Sequence, residues 1–438
     1  MGDIGTSIKE LRIATGMTQE QLAEHSGLSI RAIRDIERGS TQRPYRHSLE
    51  LVAAAMGLSE RDTNELIGTV YVQPNLRRRG SCARPREHAK GQDVPMTALA
   101  HLPPAPLNFV GRRDALQQLD ALLRAGSPDA STVALVDGAP GVGKTALVLR
   151  WAHQVAGQFA DGVLYADLRG YDAQPPLAPE SVLRRFLRAL GIPDHRLPLS
   201  KEECSALYRS TVAELRMLIV LDNAATAEQV RPLLTGAPHC LVAVTSRNSM
   251  TGLVVRDGAR RIHLDYLTDA EALELFESSV GEVRPKREPE AIAGLLAMCE
   301  GSPLALRVLA ERTRDQPHVA LRDIITRLAN RLSQLSPFDT PGDPQSSVRE
   351  LLSWSYRNLP ASTARVFDGL GNVRQRTFTV TQLLPIQPYF DMSEETLVDA
   401  LDWLAEENLI ESETPGNYRI NRLIWHYTRE RLDEVTGH

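Results

Sequence analysis

The chain has 438 residues, a net charge of −5 and 42% hydrophobic residues, which suits about two to four folded domains with cores of their own. This composition excludes collagen-like and broadly disordered proteins, and no apolar run reaches the roughly 18 residues of a membrane span. The four cysteines lie far apart and lack metal-ligand spacing. Reduced thiols and the lack of a signal-peptide pattern predict a cytoplasmic protein with no membrane partner.

Basic residues are concentrated towards the N-terminal end. Residues 1–90 carry 14 Lys or Arg against 11 Asp or Glu, whereas the remainder carries 36 against 44. A weakly basic N-terminal segment followed by an acidic remainder indicates an N-terminal DNA-binding domain, called the head below. The basic run at 77–90 is, on its own, also typical of a solvated linker.

Residues 1–70 predict an all-α head of about five short helices, the last two at 48–56 and 59–67. Thr18 and Gln21 have the spacing of a capping box for one helix, and Ser29 caps the next helix after a turn at Gly27. Two short helices joined by such a turn are typical of a helix-turn-helix DNA-binding unit. An ordinary helical hairpin would have the same pattern.

The second helix of this pair is predicted to have two distinct faces. Ile30, Ile33 and Ile36 can face inward, and the intervening arginines then face outward. The front of this helix should reach base edges, and the start of the preceding helix should meet phosphate. The predicted contacts to double-stranded operator DNA are Thr18, Gln19, Ser29, Ile30, Arg31 and Arg34.

The rest of the chain predicts a linker followed by three further domains. Residues 71–104, rich in proline and arginine, are predicted to be the linker. From 105 to 265, apolar strands at 132–136, 162–168, 217–222 and 240–245 alternate with helices, which predicts an α/β domain with a parallel sheet covered on both faces. Residues 266–345 are predicted to be helical, and residues 346–438 mix helices with a hairpin around 415–416.

The most specific motif is the stretch from Gly138 to Thr145, which fits G-x-x-x-x-G-K-[ST] between a predicted strand and a predicted helix. Lys144 would neutralise the β- and γ-phosphates, and Thr145 would ligate Mg²⁺. The α/β domain is therefore predicted to be a P-loop NTPase domain that binds ATP or ADP with Mg²⁺. The residues expected to bind nucleotide in this stretch are Gly138, Gly141, Gly143, Lys144, Thr145 and Ala146.

Two further residues are candidates for nucleotide chemistry together with Lys144. Asp222 ends an apolar strand, where a carboxylate can hold Mg²⁺, although a strand-end aspartate can also simply face solvent. Arg247 follows the next strand and can reach the γ-phosphate, or it can be a surface arginine. Asn223 is an amide, so no carboxylate stands next to Asp222 in the sequence to act as a general base. Hydrolysis, if any, is expected to be slow.

These motifs together resemble the NB-ARC branch of the STAND signal-transduction NTPases, which includes bacterial antibiotic-pathway regulators. The resemblance covers about residues 105–435 and implies a helical ARC-type domain at 266–345 and a winged-helix domain at 346–438. It also implies that Val110 and Arg112 hold adenine and that Pro303 packs at the nucleotide. Residues 1–70 separately resemble the Cro/repressor-type (XRE) helix-turn-helix family.

The winged-helix lid departs from the pattern of this family. Members usually carry Met-His-Asp there, and the histidine contacts the β-phosphate of ADP. Asn421 stands at the histidine position and Arg422 at the aspartate position. Arg422 can compensate by reaching the phosphates, or it can point away, in which case ADP holds the closed state only weakly.

The resemblance implies a nucleotide-gated transcription regulator, of the kind that controls a biosynthetic gene cluster. The ADP form would be closed, and the ATP form would open, self-associate and bring several DNA-binding heads together. The expected partners are operator DNA, further copies of the chain, and a separate sensor protein or a small-molecule inducer. Two alternatives remain open: a DNA-remodelling or loader-type ATPase, and a defence sensor of the STAND class.

Overall fold

The computed structural model describes residues 8–9, 11–13, 15–26, 30–37, 52–53, 55–56, 99–100, 102–126, 131–281, 283–329, 335–340, 342–384 and 392–436. The chain divides into two compact units, Met1–Gln92 and Asp93–His438. The first unit contains the helix-turn-helix residues. The second contains the phosphate loop and all of the chain that follows it.

The first unit has the two short helices that the sequence predicts, α1 (Gln19–Ser26) and α2 (Ile30–Glu37). Thr18 Oγ1 accepts the Gln21 N–H at 3.2 Å, and the Gln21 side chain accepts the Thr18 N–H at 2.9 Å. The predicted capping box is therefore confirmed. The turn at 27–29 and the predicted helix at 59–67 lie outside the described residues.

One prediction about α2 is wrong. Ile33 and Ile36 are buried, but Ile30 is 39% exposed. Because helical side chains lean towards the N-terminus of their helix, the side chain of the first residue projects beyond the helix instead of into the core. The core itself consists of Ile8, Leu22, Ala23, Ile33, Ile36, Val52, Ala53 and Met56.

The second unit is built on a six-stranded sheet in which every described pair of neighbouring strands is parallel. The spatial order is β1-β3-β4-β5-β2-β6. The central strands read as continuous apolar runs because both faces of the sheet are covered by helices. The strands are β1 (Leu99–Ala100), β2 (Thr132–Asp137), β3 (Gly162–Asp167), β4 (Leu218–Ala224), β5 (Leu241–Ser246) and β6 (Arg260–His263).

Helices cover the two faces and form a separate core on each. Helices α3 (Arg113–Ala125) and α4 (Lys144–Val155) pack on one face, where Trp151 is fully buried. Four helices contribute to the core on the other face, where Tyr208 is fully buried. They are α5 (Pro179–Ala189), α6 (Lys201–Val212), α7 (Ala227–Val230) and α8 (Thr251–Asp257). The predicted α/β fold with a parallel sheet is confirmed.

The edges of the sheet differ from the prediction at one boundary and in one strand. The predicted linker extends to 104, but Leu99 and Ala100 already pair with Gly162 and Val163 of β3. Strand β6, at the opposite edge, is missing from the predicted strands. Short edge strands of two and four residues do not carry the apolar run that marks the central strands, so the sequence pattern does not reveal them.

The helical region and the C-terminal region share one continuous core, which includes Phe276, Leu309, Phe367 and Leu401. The predicted boundary at 345 therefore does not separate two independent cores. The first region contains α9 (Asp269–Val280), α10 (Val283–Arg287), α11 (Pro289–Cys299), α12 (Pro303–Arg314) and α13 (Leu321–Ala329).

The C-terminal region combines helices with a small antiparallel sheet of order β7-β9-β8. The predicted hairpin around 415–416 is confirmed as the connection between β8 and β9. The elements are α14 (Val348–Arg357), α15 (Ala361–Gly369), β7 (Thr377–Thr379), α16 (Val380–Leu383), α17 (Glu394–Glu406), β8 (Glu411–Thr414), β9 (Asn417–Arg419) and α18 (Arg422–Thr436). Within the part of the chain that the structure describes, no helix is long and apolar enough to cross a membrane.

Candidate nucleotide site

The phosphate loop connects β2 to α4 at the carboxyl end of the sheet. Gly138 has a φ of 146°, and a Cβ atom there would lie 2.4 Å from the carbonyl oxygen of Leu264, so only glycine fits. Lys144 begins α4, and its Nζ donates to the carbonyl oxygens of Gly138 at 2.7 Å and Ala139 at 2.9 Å. Burial, together with the nearby charge of Arg247, lowers the pKa of Lys144 to about 7. A phosphate chain bound in this loop would stabilise the ammonium form.

Asp222 lies at the centre of a set of hydroxyl groups. Its Oδ1 accepts from Thr145 Oγ1 at 2.8 Å and from Thr245 Oγ1 at 2.5 Å, and its Oδ2 accepts from Tyr165 at 3.1 Å. Burial raises the pKa of Asp222, and these hydrogen bonds oppose that shift. The Thr145 hydroxyl and the Asp222 carboxylate are hard oxygen donors within hydrogen-bond distance of each other, so the pair fits Mg²⁺. These two residues would hold the ion, which would neutralise charge on the phosphates.

Asn223 does not point its amide towards Asp222. Its Nδ2 donates to the carbonyl oxygen of Tyr171 at 3.3 Å, and its backbone N–H donates to Thr245 Oγ1 at 2.8 Å. The residues next to Asp222 in the sequence include no carboxylate, but the neighbouring strand provides one. Asp167 ends the neighbouring strand β3 and pairs in register with Asp222.

Arg247 connects the α/β domain to the C-terminal region. Its Nη1 donates to the carbonyl oxygen of Leu351 at 2.5 Å and to Ser355 Oγ at 2.7 Å, both on α14. The guanidinium also lies over the ring of Tyr171, 4.9 Å from its centroid. Burial lowers the pKa of Arg247 to about 10, so the side chain stays charged at neutral pH. The alternative of a surface arginine is excluded, because Arg247 is only 7% exposed.

Arg112 stabilises the phosphate loop on the side of the site that is predicted to hold adenine. Its Nη2 donates to the carbonyl oxygen of Val142 at 2.8 Å, and its Nη1 donates to that of Asp265 at 2.5 Å. Its backbone N–H donates to Glu271 at 2.9 Å. These bonds join the loop to the start of the helical region, so Arg112 positions the loop in addition to lining the site.

Most of the predicted nucleotide residues, but not Gly138, surround one cavity of about 540 Å³. The α/β domain, the helical region and α14 all contribute to its walls, and residues such as Phe109, Leu149 and Leu275 make one part apolar. This volume lies in the range of cofactor sites. The predicted residues that line it are Val110, Arg112, Gly141, Gly143, Lys144, Thr145, Ala146, Asp222, Arg247 and Pro303.

The predicted site residues do not include several cavity residues that carry interactions, among them Tyr165, Asp167, Leu351 and Trp354. A signal for Asp167 was available, because it ends an apolar strand just as Asp222 does. No local pattern marks Leu351 or Trp354 as cavity residues, because α14 reaches the site only through tertiary packing.

The structure does not bring Asn421 and Arg422 to this cavity. Asn421 directly precedes α18, and its Oδ1 accepts the Leu423 N–H at 2.9 Å, as a helix cap does. The Arg422 N–H donates to Glu300 at 2.7 Å, and its guanidinium points to the carbonyl oxygen of Ala297 at 3.4 Å. Of the two alternatives for Arg422, the geometry agrees with the one in which it points away.

In the first unit, the predicted DNA contacts lie on or next to α1 and α2. Gln19 Nε2 donates to Glu37 at 2.6 Å, and Arg12 pairs with the same carboxylate at 2.6 Å. Arg34 is exposed, and its Nε donates to Gln19 Oε1 at 3.3 Å. Arg31 lies within α2, whereas Ser29 lies outside the described residues. The Arg12–Glu37–Gln19 contacts fix the two helices against each other.

Known proteins resemble this chain in both parts. A helix-turn-helix domain family matches residues 3–66, and the AAA ATPase domain family matches residues 108–341, which is more than half of the chain. The chain is 33% identical over 444 residues to the regulatory protein AfsR of Streptomyces griseus and 36% identical over 343 residues to AfsR of Streptomyces coelicolor. These matches cover 97% and 76% of this chain, but only 45% and 34% of the two relatives.

Among solved structures, a STAND protein with a tetratricopeptide repeat sensor from Pyrococcus horikoshii is 16% identical, with a TM-score of 0.36 over 76% of this chain and 44% of that one. A Walker-type ATPase from Pyrococcus abyssi is 13% identical, with a TM-score of 0.48 over 73% of this chain and 96% of that one. The two family matches and the similarity to AfsR confirm the resemblance that the motifs indicate. The chain belongs to the AAA ATPase domain family, and its ATPase domain follows an N-terminal helix-turn-helix domain.

Proposed function

We propose that this protein is a nucleotide-gated transcription regulator, in which bound ATP or ADP controls self-association and operator binding. The observation that carries the proposal is the position of Arg247. This residue lines the cavity that contains the phosphate loop, yet its guanidinium is bonded to Leu351 and Ser355 of α14. A ligand in the cavity can therefore compete directly with a contact that holds two regions together.

The chemical difference between ATP and ADP explains how the bound nucleotide would control the contact between Arg247 and α14. A γ-phosphate offers Arg247 a charge-assisted, bidentate partner, whereas Leu351 and Ser355 offer only neutral oxygens. ADP lacks that group. Since a ligand biases two states only by binding one better than the other, ATP favours the state in which Arg247 leaves α14.

Further contacts next to Arg247 belong to the same closed arrangement. Asn408, two residues after α17, donates from Nδ2 to the carbonyl oxygen of Arg247 at 2.7 Å. The Ser249 N–H donates to the carbonyl oxygen of Glu406 at 2.9 Å. Loss of the Arg247 contacts would weaken the docking of α14 and α17 together, which exposes surface for self-association.

Self-association then controls DNA binding through proximity. Heads held together in one assembly bind neighbouring half-sites with a raised effective concentration and need no new contacts. The AfsR proteins, named regulatory proteins, support a regulatory role. We further propose that a sensor protein or a small-molecule inducer supplies the signal. The regulated genes would belong to a biosynthetic cluster.

The test compares the full chain with ADP and with a non-hydrolysable ATP analogue. Size is measured by light scattering, and DNA binding is measured on duplexes selected from a random pool by the same protein. We expect the analogue to produce larger species and tighter binding. Arg247→Ala should abolish the difference, whereas Arg256→Ala, an exposed arginine on α8, should preserve it.

Equal size and equal DNA affinity with both nucleotides would contradict the proposal. ATP turnover stimulated by DNA, without a change in assembly, would instead indicate the remodelling or loader-type ATPase.

A further inference from the structure

We infer that Asp167 is a further catalytic residue of the nucleotide site: its carboxylate accepts a proton from the water that attacks the γ-phosphate of ATP. The inference rests on the nucleotide binding proposed above. It assigns to β3 the general base that the sequence around Asp222 lacks, and so provides the step that resets the switch.

The first observation is the strand register. Asp167 and Asp222 are the paired residues at the carboxyl ends of the adjacent parallel strands β3 and β4. Neighbouring strands lie about 4.8 Å apart, and side chains at paired positions point to the same face. Tyr165, two residues earlier on that face of β3, reaches Asp222 Oδ2 at 3.1 Å. This contact independently places that face of β3 beside Asp222.

The second observation is the setting of the Asp167 carboxylate. It lines the cavity together with Thr145 and Asp222, and it is only partly buried. Its Oδ1 accepts the Arg169 N–H at 2.9 Å, which fixes the orientation of the side chain. Because a carboxylate has about four acceptor sites, this single bond leaves capacity for a water molecule.

The neighbouring groups are less suited to this role. Asp222 accepts three hydroxyl hydrogen bonds and, with Thr145, is the pair that fits Mg²⁺. Asn223 cannot take up a proton, and its amide donates to Tyr171. The hydrogen bonds of Asp222 and Asn223 do not involve the Asp167 carboxylate, which therefore stays available as an acceptor at the cavity wall.

The sheet order places Asp167 and Lys144 on different sides of Asp222. Lys144 follows β2, and the order β2-β5-β4-β3 puts Asp167 beyond Asp222. A γ-phosphate bound near Lys144 and the metal ligands can therefore be approached by water from the side of β3. In the reaction, the water oxygen forms a bond to the γ-phosphorus, and the bond to the bridging oxygen breaks with its electron pair leaving on ADP. The proton passes to Asp167, and the products are ADP and phosphate.

The experiment compares wild type with Asp167→Asn in a single turnover, with the full chain in excess over radiolabelled ATP and Mg²⁺. The variant should bind ATP as tightly as wild type, but its hydrolysis rate should fall by roughly 10²- to 10⁴-fold, the usual contribution of a general base. Nucleotide extracted from the variant should therefore remain ATP after the wild type contains ADP. Asp167→Glu should recover part of the rate.

Asp161→Asn is the matched control, because Asp161 directly precedes β3, at the end opposite Asp167, and also accepts a backbone N–H, from Arg216 at 2.7 Å. It should leave hydrolysis unchanged. Hydrolysis by Asp167→Asn at the wild-type rate would overturn the assignment, as would a wild type that binds ATP and never converts it. If wild type does not bind ATP, the proposed function fails as well. If Asp167→Asn does not fold, Asp167→Glu and Asp167→Ser are tested in its place. The assignment would be overturned if both of these variants fold and hydrolyse ATP at the wild-type rate.

Discussion

The hydroxyl of Tyr171 donates a 2.7 Å hydrogen bond to Oε2 of Glu407, and both side chains are buried. The two residues are 236 positions apart, one in the loop after β3 and the other directly after α17. Asn248 donates to the second oxygen of Glu407 at 2.8 Å. Burial raises the pKa of Glu407, and these two donors oppose the shift. The pair therefore fastens the C-terminal region to the α/β domain beside the nucleotide cavity.

Tyr171→Phe should weaken the contact between the C-terminal region and the α/β domain. A buried carboxylate oxygen would lose its donor, which costs about 1–3 kcal/mol. We expect faster amide hydrogen exchange in α17 and at 407–410, and faster release of bound ADP. Tyr418→Phe is the control, because Tyr418 donates to Asp402 at 3.0 Å within the C-terminal region. Equal effects of the two variants on ADP release would argue against a role of Tyr171 in holding the C-terminal region to the α/β domain.

Lys144→Ala should abolish ATP binding and leave the fold intact. The ammonium is the side-chain charge expected on the β- and γ-phosphates, and its present partners are carbonyl groups of the loop. At a ligand concentration of 100 Kd, wild type should gain about 2.7 kcal/mol of stability, and the variant should gain none. Thermal unfolding with and without ATP measures this difference. Lys201→Ala, an exposed lysine on α6, should behave as wild type; an unchanged ATP response in Lys144→Ala would refute the site.

Asn421→Ala should lower stability without changing ADP affinity. The side chain caps α18 and does not line the nucleotide cavity, so its removal should cost about 1 kcal/mol of folding free energy. Denaturant unfolding and ADP titration measure the two quantities separately. If ADP affinity falls while stability is unchanged, Asn421 acts on the phosphate as the family resemblance implies.

Arg31→Ala should weaken operator binding by about 1–3 kcal/mol and relax specificity at one base pair. Arg31 lies in the first turn of α2, where base edges are reached in this type of domain. Arg78→Ala, in the basic run, should instead reduce the salt slope by about one unit without changing specificity, if Arg78 contacts DNA. Titrations of both variants on operator and random DNA measure these effects. If Arg31→Ala loses the same binding free energy on both DNAs, Arg31 is not a base contact.

The pairing of His263 with Asp137 should make stability depend on pH. Asp137 is fully buried and accepts from Arg261 at 2.6 Å and from His263 at 3.2 Å. The hydrogen bond to Asp137 raises the pKa of His263. Protonated His263 therefore stabilises the fold below its ordinary pKa, and this contribution is lost as the pH rises through the raised pKa.

We thus expect the melting temperature of wild type to fall more than that of His263→Gln between about pH 6 and pH 8. Burial opposes ionisation of Asp137, but its hydrogen bonds hold the pKa of Asp137 at about 2, so its own contribution persists throughout this range. Parallel pH profiles for the two proteins would show that His263 contributes nothing.

Local sequence pattern was sufficient for the features that depend on neighbouring residues. The phosphate loop, the capping box of Thr18 and Gln21, and the four central strands are all visible in the sequence, because turn glycines, cap spacing and apolar runs act over a few residues. Asp222 was identified for the same reason, since a carboxylate that ends an apolar strand is a local feature. These features also predict the fold class.

Tertiary structure decided which distant residues meet. Asp167 stands beside Asp222 through strand register, and Arg247 reaches Ser355 because α14 lies next to the segment that follows β5. The family resemblance implies a phosphate ligand at Asn421, but its side chain caps α18 and does not line the cavity. The bond of Arg247 to Ser355 joins residues 108 positions apart, and that of Tyr171 to Glu407 joins residues 236 positions apart, so no local periodicity encodes them. The sequence by itself therefore determined the fold class and the phosphate-loop motif, whereas three-dimensional packing decided which distant residues stand beside that motif.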